Sequence, residues 1–474
     1  MAAATTLGTQ KYFSDHPHFK PRKLGATGLQ ISPFGFGGYR INGNEPAHIE
    51  ALKKAIESGI NLIDTSSNYG DGSGGSEKLI GQILEDLIKQ EKIERNQIVI
   101  VTKAGYLQNK TLSEAKLRLE NNQAWPEMVH YQDNCWHNIS PDFLNDQIIS
   151  SLSNLRLDCI DVLLLHNPEY FLKTSNQKDV YYARIKKAFE FLETQVEAGR
   201  IQFYGVSSNS FIDPESSFEN TSLEKCYQIA KDIKKNNHFA VAQFPLNIFE
   251  NQAAVLKNNS GRTLLEFAAE KKIGTLANRP LNALLRGQMN RLVSYPNYDV
   301  VEVKGDMHRV LGRVIELEKK NQSQTRTQGL MWGQALRENL QQLDDIIEWR
   351  EILYRQILPS LDNALGRLPA SSLKWAQEYR ENSLELLSLV TKNLESIGAQ
   401  KAKIIMDQIS EKIPSSKSAP TLSSCVLSLY SSLSSLSSVL VGMRTPEYVD
   451  DCLLSTQEIA EKTALETLQS FSKK

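Results

Sequence analysis

Four side chains in this sequence, Asp64, Tyr69, Lys103 and His166, form a set that could deliver a proton to a carbonyl oxygen. Asp64 follows NLI, Lys103 follows IVIVT and His166 follows VLLL, so each closes a short apolar run, and Tyr69 lies five residues beyond Asp64. A free phenol, with a pKa of about 10, is a poor acid at neutral pH, and a neighbouring ammonium lowers that value. Lys103 would do this to Tyr69, with Asp64 holding the lysine through a charge-assisted hydrogen bond. A neutral His166 would orient the carbonyl, and a reduced nicotinamide would supply the hydride. Such chemistry requires neither a metal nor a covalent intermediate. A single Asp or His at such a place is more often a structural hydrogen-bonding group; the combination is what points to catalysis.

These residues need a scaffold that gathers the ends of several strands at one face. Eight short apolar runs fit that need, near residues 35, 63, 101, 164, 205, 242, 276 and 441. Between them lie amphipathic stretches such as AHIEALKKAIESG, SEKLIGQILEDLI and ARIKKAFEFLETQVEAG, with apolar residues at three and four spacing. Strand and helix alternating eight times predict an α/β fold, a closed parallel (β/α)8 TIM barrel, whose active site lies at the carboxyl ends of the strands. RKLGATGLQIS, around Ala26-Thr27-Gly28, reads as a small N-terminal hairpin capping the lower end. Before the last strand, residues 300–412 carry no strand signal. Leu336, Leu340, Leu343, Ile347, Tyr354 and Leu358 keep helical spacing, as do Leu384, Leu387, Leu394, Ile404, Met406 and Ile409. The expected organisation is one barrel domain over residues 22–474, a helical insertion at 300–412 and an N-terminal extension at 1–21. The insertion either packs on the barrel or serves self-association or a partner.

Composition narrows the functions. With 41% hydrophobic and 23% charged residues, 474 residues can build a sizeable core. A net charge of -1 gives no basic field for nucleic acid or acidic lipid. Five scattered cysteines without a CxxC pair argue against a disulfide framework or zinc knuckle. No apolar stretch reaches the roughly 20 residues of a membrane span and the first 20 residues lack the apolar core of a signal peptide, so a cytoplasmic protein is expected. GDGSGGSE lacks the Lys-Ser end of a phosphate-binding loop and reads as a mobile connection. The long connection after Lys103 carries Trp125, Trp136 and His137 and leaves the catalytic end, which makes Trp136 and His137 candidates for a substrate wall; packing of the loop is the alternative.

The segments RKLGATGLQISPFGFGGYR, GINLIDTSSNYGDGSGGSEKLIG, IVIVTKAG, LRLDCIDVLLLHNPE, GRIQFYGVSSNS and VLVGMRTPEYVDD resemble, in order, the motifs of the aldo-keto reductases. The likeness covers residues 22 to about 287 and about 420 to 452, and Asp64, Tyr69, Lys103 and His166 match that family's catalytic tetrad. It implies an NADPH-dependent oxidoreductase interconverting an aldehyde or ketone with its alcohol, NADP(H) being favoured over NAD(H). It also implies nicotinamide contacts from Asn167, Ser207, Ser208 and Gln243, with Asn209 able to stand in where asparagine is common. In ANRPLNALLRG, Asn278 replaces a stacking aromatic, Arg279 is a candidate for the pyrophosphate, and Pro280 and Leu281 fit the pattern. Gly442, Met443 and Arg444 fall where the family grips the ribose phosphate, Arg444 suiting a 2'-phosphate, while Tyr448 and Asp451 fall near the adenine. The alternative implied by the same fold is a cofactor-binding regulatory or scaffold subunit like the potassium-channel beta subunits. A metal-dependent barrel hydrolase fits poorly, because no cluster of histidines and carboxylates closes adjacent runs.

Overall fold

The structure, a computed structural model, describes all residues except 1–2, 71–73, 286–287, 323–329, 341–342, 344, 456–457 and 473–474. GDGSGGSE falls partly outside the described residues. Two compact units are present, Met1–Leu292 with Ser418–Lys474, and Val293–Lys417.

The first unit is a closed parallel barrel. Its strands are β1 (Phe34–Gly37), β2 (Leu62–Asp64), β3 (Val99–Ala104), β4 (Ile160–His166), β5 (Ile201–Ser207), β6 (Phe239–Pro245), β7 (Gly274–Asn278) and β8 (Ser438–Val441). Every expected run is a strand, and β8 closes the ring between β7 and β1. All residues of β3 and β4 are buried, as strands covered by helices outside and side chains inside must be. Helices such as Pro46–Glu57, Gly75–Lys89 and Lys178–Glu197 supply that cover. The expected cap is an antiparallel pair, Arg22–Lys23 with Gln30–Ile31. Its turn needs glycine: Gly25 has φ +56°, and a Cβ there would lie 2.3 Å from the backbone nitrogen of Gly274, where β7 begins.

The first 21 residues, expected as an N-terminal extension, belong to the barrel unit. Thr5 caps the helix Thr6–Asp15, its hydroxyl accepting from the Gly8 N–H at 2.9 Å, and the preceding Ala4 N–H donates to Asp161 Oδ1 at 2.6 Å. Asp161, near the start of β4, is fully buried. Its Oδ2 accepts from Arg95 at 2.8 Å and from the Ile100 N–H at 2.7 Å, so one carboxylate ties the N-terminal segment, β3 and a buried guanidinium together. Removing one charge of a buried pair typically costs about 3–5 kcal/mol. Asp161→Asn is expected to lower unfolding free energy by that order in urea titration, because the amide presents donors where Arg95 and Ile100 also donate.

The second unit is helical and has its own core. Val300–Lys320, Trp332–Asn339, Ile346–Ile352, Leu358–Gly366 and the 40-residue helix Leu373–Lys412 surround Val310, Val314, Trp349, Leu353, Tyr379, Val390 and Leu394. Most of the expected stripes face this core, but Tyr354 is 66% and Ile404 58% exposed. Ile346, Trp349 and Leu353, at three and four spacing, take the inward places in this stretch, which leaves Tyr354 outside, and a wider π-type turn follows over Leu353–Ile357. Among the described residues, no helix is long and apolar enough to cross a membrane.

Candidate active site

The ends of β2, β3, β4, β5, β6 and β7 bring one polar network together at the carboxyl face of the barrel. Lys103 has no exposed surface, and its ammonium donates to Asp64 Oδ2 at 2.7 Å, to the Thr65 carbonyl at 2.8 Å and to the Tyr69 hydroxyl oxygen at 3.3 Å. The other oxygen of Asp64 accepts from Gln243 Nε2 at 2.8 Å, and Gln243 Oε1 accepts from the Ser207 hydroxyl at 3.1 Å and from Asn278 Nδ2 at 3.4 Å. Asp64, Tyr69, Lys103, Ser207, Gln243 and Asn278 thus form one connected set. His166 joins it from β4, with its ring edge-on to Tyr69 at a centroid distance of 5.7 Å.

Burial governs the electrostatics. It pushes the Asp64 carboxyl up and the Lys103 ammonium down, and each charge opposes the other's shift. The Tyr69 phenol moves opposite to the expected direction: burial, then the Asp64 carboxylate and Tyr39, hold it well above its ordinary value. Lys103 directs its two shorter hydrogen bonds to Asp64 and Thr65 rather than to the phenol. Tyr69 therefore keeps its proton at neutral pH. Burial, Lys103 and His137 drive His166 well below its ordinary value, so its imidazole is neutral.

The other cofactor and substrate candidates already have partners or places of their own. Ser207 faces the network, but Ser208 turns into the protein and caps the short helical turn Asn209–Ile212 by accepting from the Ser210 N–H. Asn209 is exposed, with its backbone N–H donating to Glu169. The Asn167 amide donates to the Tyr106 hydroxyl at 2.7 Å. Arg279 has a carboxylate partner already, Glu250 at 2.9 Å. The Leu281 carbonyl accepts from the Leu292 N–H, which closes a hairpin of Asn282–Leu285 and Gln288–Arg291. Beyond β8, Gly442 is exposed, Met443 is buried, Tyr448 is 47% exposed, and Arg444 has no hydrogen-bond or ion-pair partner among the described residues. Asp451 accepts from the Thr421 hydroxyl at 2.6 Å and from the Ser423 hydroxyl, beside the first turn of the helix Leu422–Ser431, whose N-cap is Thr421.

The long connection after β3 is ordered. It holds the helix Asn109–Glu120 and a three-stranded antiparallel sheet of Tyr106–Leu107, Cys135–His137 and Val129–Gln132. Adjacent strand residues point to opposite faces. Trp136 consequently packs beside Leu107, Leu112 and Trp125 and stacks on His130, whereas His137 is buried with its Nε2 donating to the His166 carbonyl at 2.7 Å. Burial holds His137 down at about 4. Gly105 permits this approach, since a Cβ would fall 2.6 Å from the His166 carbonyl oxygen. Trp136 thus stays partly exposed on one face of the sheet while His137 is buried on the other.

Residues that the sequence did not single out complete the mouth. Tyr39, after β1, meets Tyr69 edge-on at 4.9 Å, and Tyr106 meets His166 at 4.6 Å. Their positions just past strand ends were the available signal. Glu169, two residues past Asn167, is 2% exposed, and one of its oxygens has no hydrogen-bond partner. Burial pushes its carboxyl up to about 7. A carboxyl whose folded pKa lies above its unfolded value loses stability as pH rises from the unfolded pKa, near 4.5, through the folded one, near 7. Glu169→Gln is expected to flatten the fall in melting temperature between about pH 5 and about pH 8, which thermal melts across that range check.

Among the described residues, no group of three or more His, Cys, Asp or Glu side chains is placed to hold a metal ion. A family model described as the Aldo/keto reductase family matches residues 33–345. The 6-dehydroglucose reductase of Novosphingobium aromaticivorans is 29% identical over 194 residues, 40% of this chain and 51% of that one. Aldo-keto reductase YhdN of Bacillus subtilis is 25% identical over 305 residues, covering 62% and 73%. A putative voltage-gated potassium channel subunit beta of Schizosaccharomyces pombe is 27% identical over 224 residues, covering 45% and 51%. The matches thus span about half the length of the first and third of these relatives.

Proposed function

The chain belongs to the aldo/keto reductase family, and from that premise we propose that its barrel reduces an aldehyde or ketone to an alcohol, or runs the reverse, with NADPH as hydride donor and Tyr69 as proton donor. The observation that carries this reading is the buried Asp64–Lys103 pair with the Tyr69 hydroxyl 3.3 Å from the ammonium.

The residues present fit a nicotinamide. Asn278 Oδ1 is buried without a hydrogen-bond partner beside Gln243, an acceptor suited to the N–H of a carboxamide. Ser207, Gln243 and Asn278 would hold that group, and when bound it supplies the hydride. Tyr69 keeps its proton until negative charge develops on the carbonyl oxygen, and Lys103 then stabilises the phenolate left behind. Asp64 fixes the lysine, and Gln243 fixes Asp64. Neutral His166 offers the substrate a hydrogen-bonding nitrogen without adding a cation to the site. At the adenosine end, the unpaired Arg444 guanidinium suits the two negative charges of a 2'-phosphate, and it precedes the N-terminus of the helix Pro446–Leu453.

Arg444→Ala is expected to weaken NADPH binding by about 10- to 100-fold while leaving NADH nearly unchanged, the usual effect of losing a charged hydrogen bond. Fluorescence titration with both cofactors checks this; equal losses for the two would remove Arg444 from the 2'-phosphate.

A second reading, a cofactor-binding regulatory or scaffold subunit with little turnover, draws on the similarity to the fission-yeast channel subunit and on the separate helical unit as a partner or self-association surface. A panel of aldehydes, ketones and sugars assayed with NADPH separates the two. Oxidation of NADPH by any of them supports the reductase; tight cofactor binding without turnover across the panel supports the subunit.

A further inference from the structure

Glu77, in the first turn of the helix Gly75–Lys89, has no exposed surface. One of its oxygens accepts from the Thr102 hydroxyl at 2.6 Å and the other from Asn154 Nδ2 at 3.0 Å, both neutral donors. A carboxyl is rarely buried without a cation to face. The cation here lies one residue along β3. Successive side chains leave a strand on opposite faces, so Thr102 turns outward to Glu77 while Lys103 turns inward to Asp64. Ser76, next to Glu77, reaches the other half of that buried pair. Its hydroxyl is 2.8 Å from that of Thr65, the residue after Asp64, whose carbonyl accepts from the Lys103 ammonium at 2.8 Å. One helical turn behind the barrel wall therefore grips the chain beside both Lys103 and Asp64.

We propose that Glu77 is a positioning residue, an ionised outer counter-ion behind the barrel wall that keeps Lys103 in its ammonium form while Tyr69 gives up its proton. The step it serves rests on the reductase reading; the charge pairing does not. The titratable groups that face Lys103 are Asp64 and Tyr69 inside the barrel, neutral His166 on β4, and Glu77 outside. A lone lysine–carboxylate pair in a buried site loses both charges if one proton passes from nitrogen to oxygen. A second carboxylate opposes that passage, because it favours the ammonium over the neutral amine. Burial pushes the Glu77 carboxyl up, and the bonds from Thr102 and Asn154 and the Lys103 charge pull against that rise. The 2.6 Å hydroxyl contact has the length of a charge-assisted bond to a carboxylate. When Tyr69 has protonated the substrate oxygen, its phenolate competes for the lysine's proton. With Glu77 ionised the proton stays on nitrogen, and the positive charge stays beside the phenolate.

The charge on Lys103 is read without turnover, by nitrogen-15 NMR of the full-length protein labelled at lysine and titrated with base, the Lys103 ammonium signal being identified by its loss in Lys103→Arg. Glu77→Gln keeps the side chain's size and removes its charge. In it the ammonium signal should disappear about one pH unit earlier than in the wild type, a tenfold shift in protonation. Thr102→Val removes a donor that favours the carboxylate and should move the signal the same way by less; it serves where Glu77→Gln does not fold. The alkaline limb of kcat/KM for carbonyl reduction should move with the signal. Folded variants that melt at lower temperature but keep the wild-type titration and limb would overturn the proposal and leave Glu77 a structural group. If the signal moves as stated and the wild type reduces no carbonyl, the reductase reading fails and the pairing of Glu77 with Lys103 stands.

Discussion

Tyr69→Phe is expected to lower NADPH-dependent carbonyl turnover by about a hundredfold to ten-thousandfold, the range for loss of a positioned general acid. The ring contacts with Tyr39 and His166 are aromatic and survive in phenylalanine, so the variant should fold and bind cofactor with nearly wild-type affinity. Only the hydroxyl, 3.3 Å from the Lys103 ammonium, is lost. The phenol is held above its ordinary value by burial and Asp64, so its proton is present throughout the neutral range and the loss should be similar across it. Steady-state kcat alongside fluorescence titration of NADPH separates chemistry from binding. Turnover retained in Tyr69→Phe would remove it from the role of acid.

Lys103→Met should cost both activity and stability. The lysine is fully buried, and its removal leaves Asp64 with Gln243 as its remaining side-chain hydrogen-bond partner in a site where burial already pushes the carboxyl up. Breaking a buried pair from one side typically costs about 3–5 kcal/mol. The sign of the pH dependence follows from the direction of that shift. An acid whose folded pKa is raised destabilises the fold as pH climbs through it, so the deficit of Lys103→Met should shrink towards acid pH. Adding Asp64→Asn removes the unpaired charge and should recover much of the stability without restoring turnover. Urea unfolding of the single and double variants at two pH values measures both effects.

The barrel was legible because its signal is repeated: eight apolar runs separated by amphipathic stretches leave few other ways to bury both. The candidate site drew attention for a related reason, since a polar residue closing an apolar run is costly to bury unless paired, and Asp64, Lys103 and His166 each do so, whereas Tyr69 entered only by its closeness to Asp64. Orientation was harder to read. Ser207 and Ser208 are adjacent and chemically identical, yet only one faces the mouth, because the chain leaves β5 for a capped turn between them. Trp136 and His137 part because adjacent residues of one strand point to opposite faces, on a small sheet whose short strands, from two to four residues, give too little periodicity to detect. The direction of the Tyr69 shift depends on how the lysine divides its three donors, a three-dimensional fact. The N-terminal helix escaped notice because what fastens it, a buried Asp161 157 residues away from Ala4, leaves no local trace.

On the proposed reading, this site moves a hydride between a nicotinamide and a carbonyl carbon. The direct measurement is a turnover of NADPH deuterated at the transferring position of its ring with an α-hydroxy aldehyde such as glyceraldehyde, followed by mass spectrometry of the product alcohol. One deuterium on the former carbonyl carbon is the expected result in the wild type, with a trace or none in Tyr69→Phe over the same time. NADPH bound by the wild type yet yielding no deuterated alcohol from any carbonyl in the panel would rule out hydride transfer at this site.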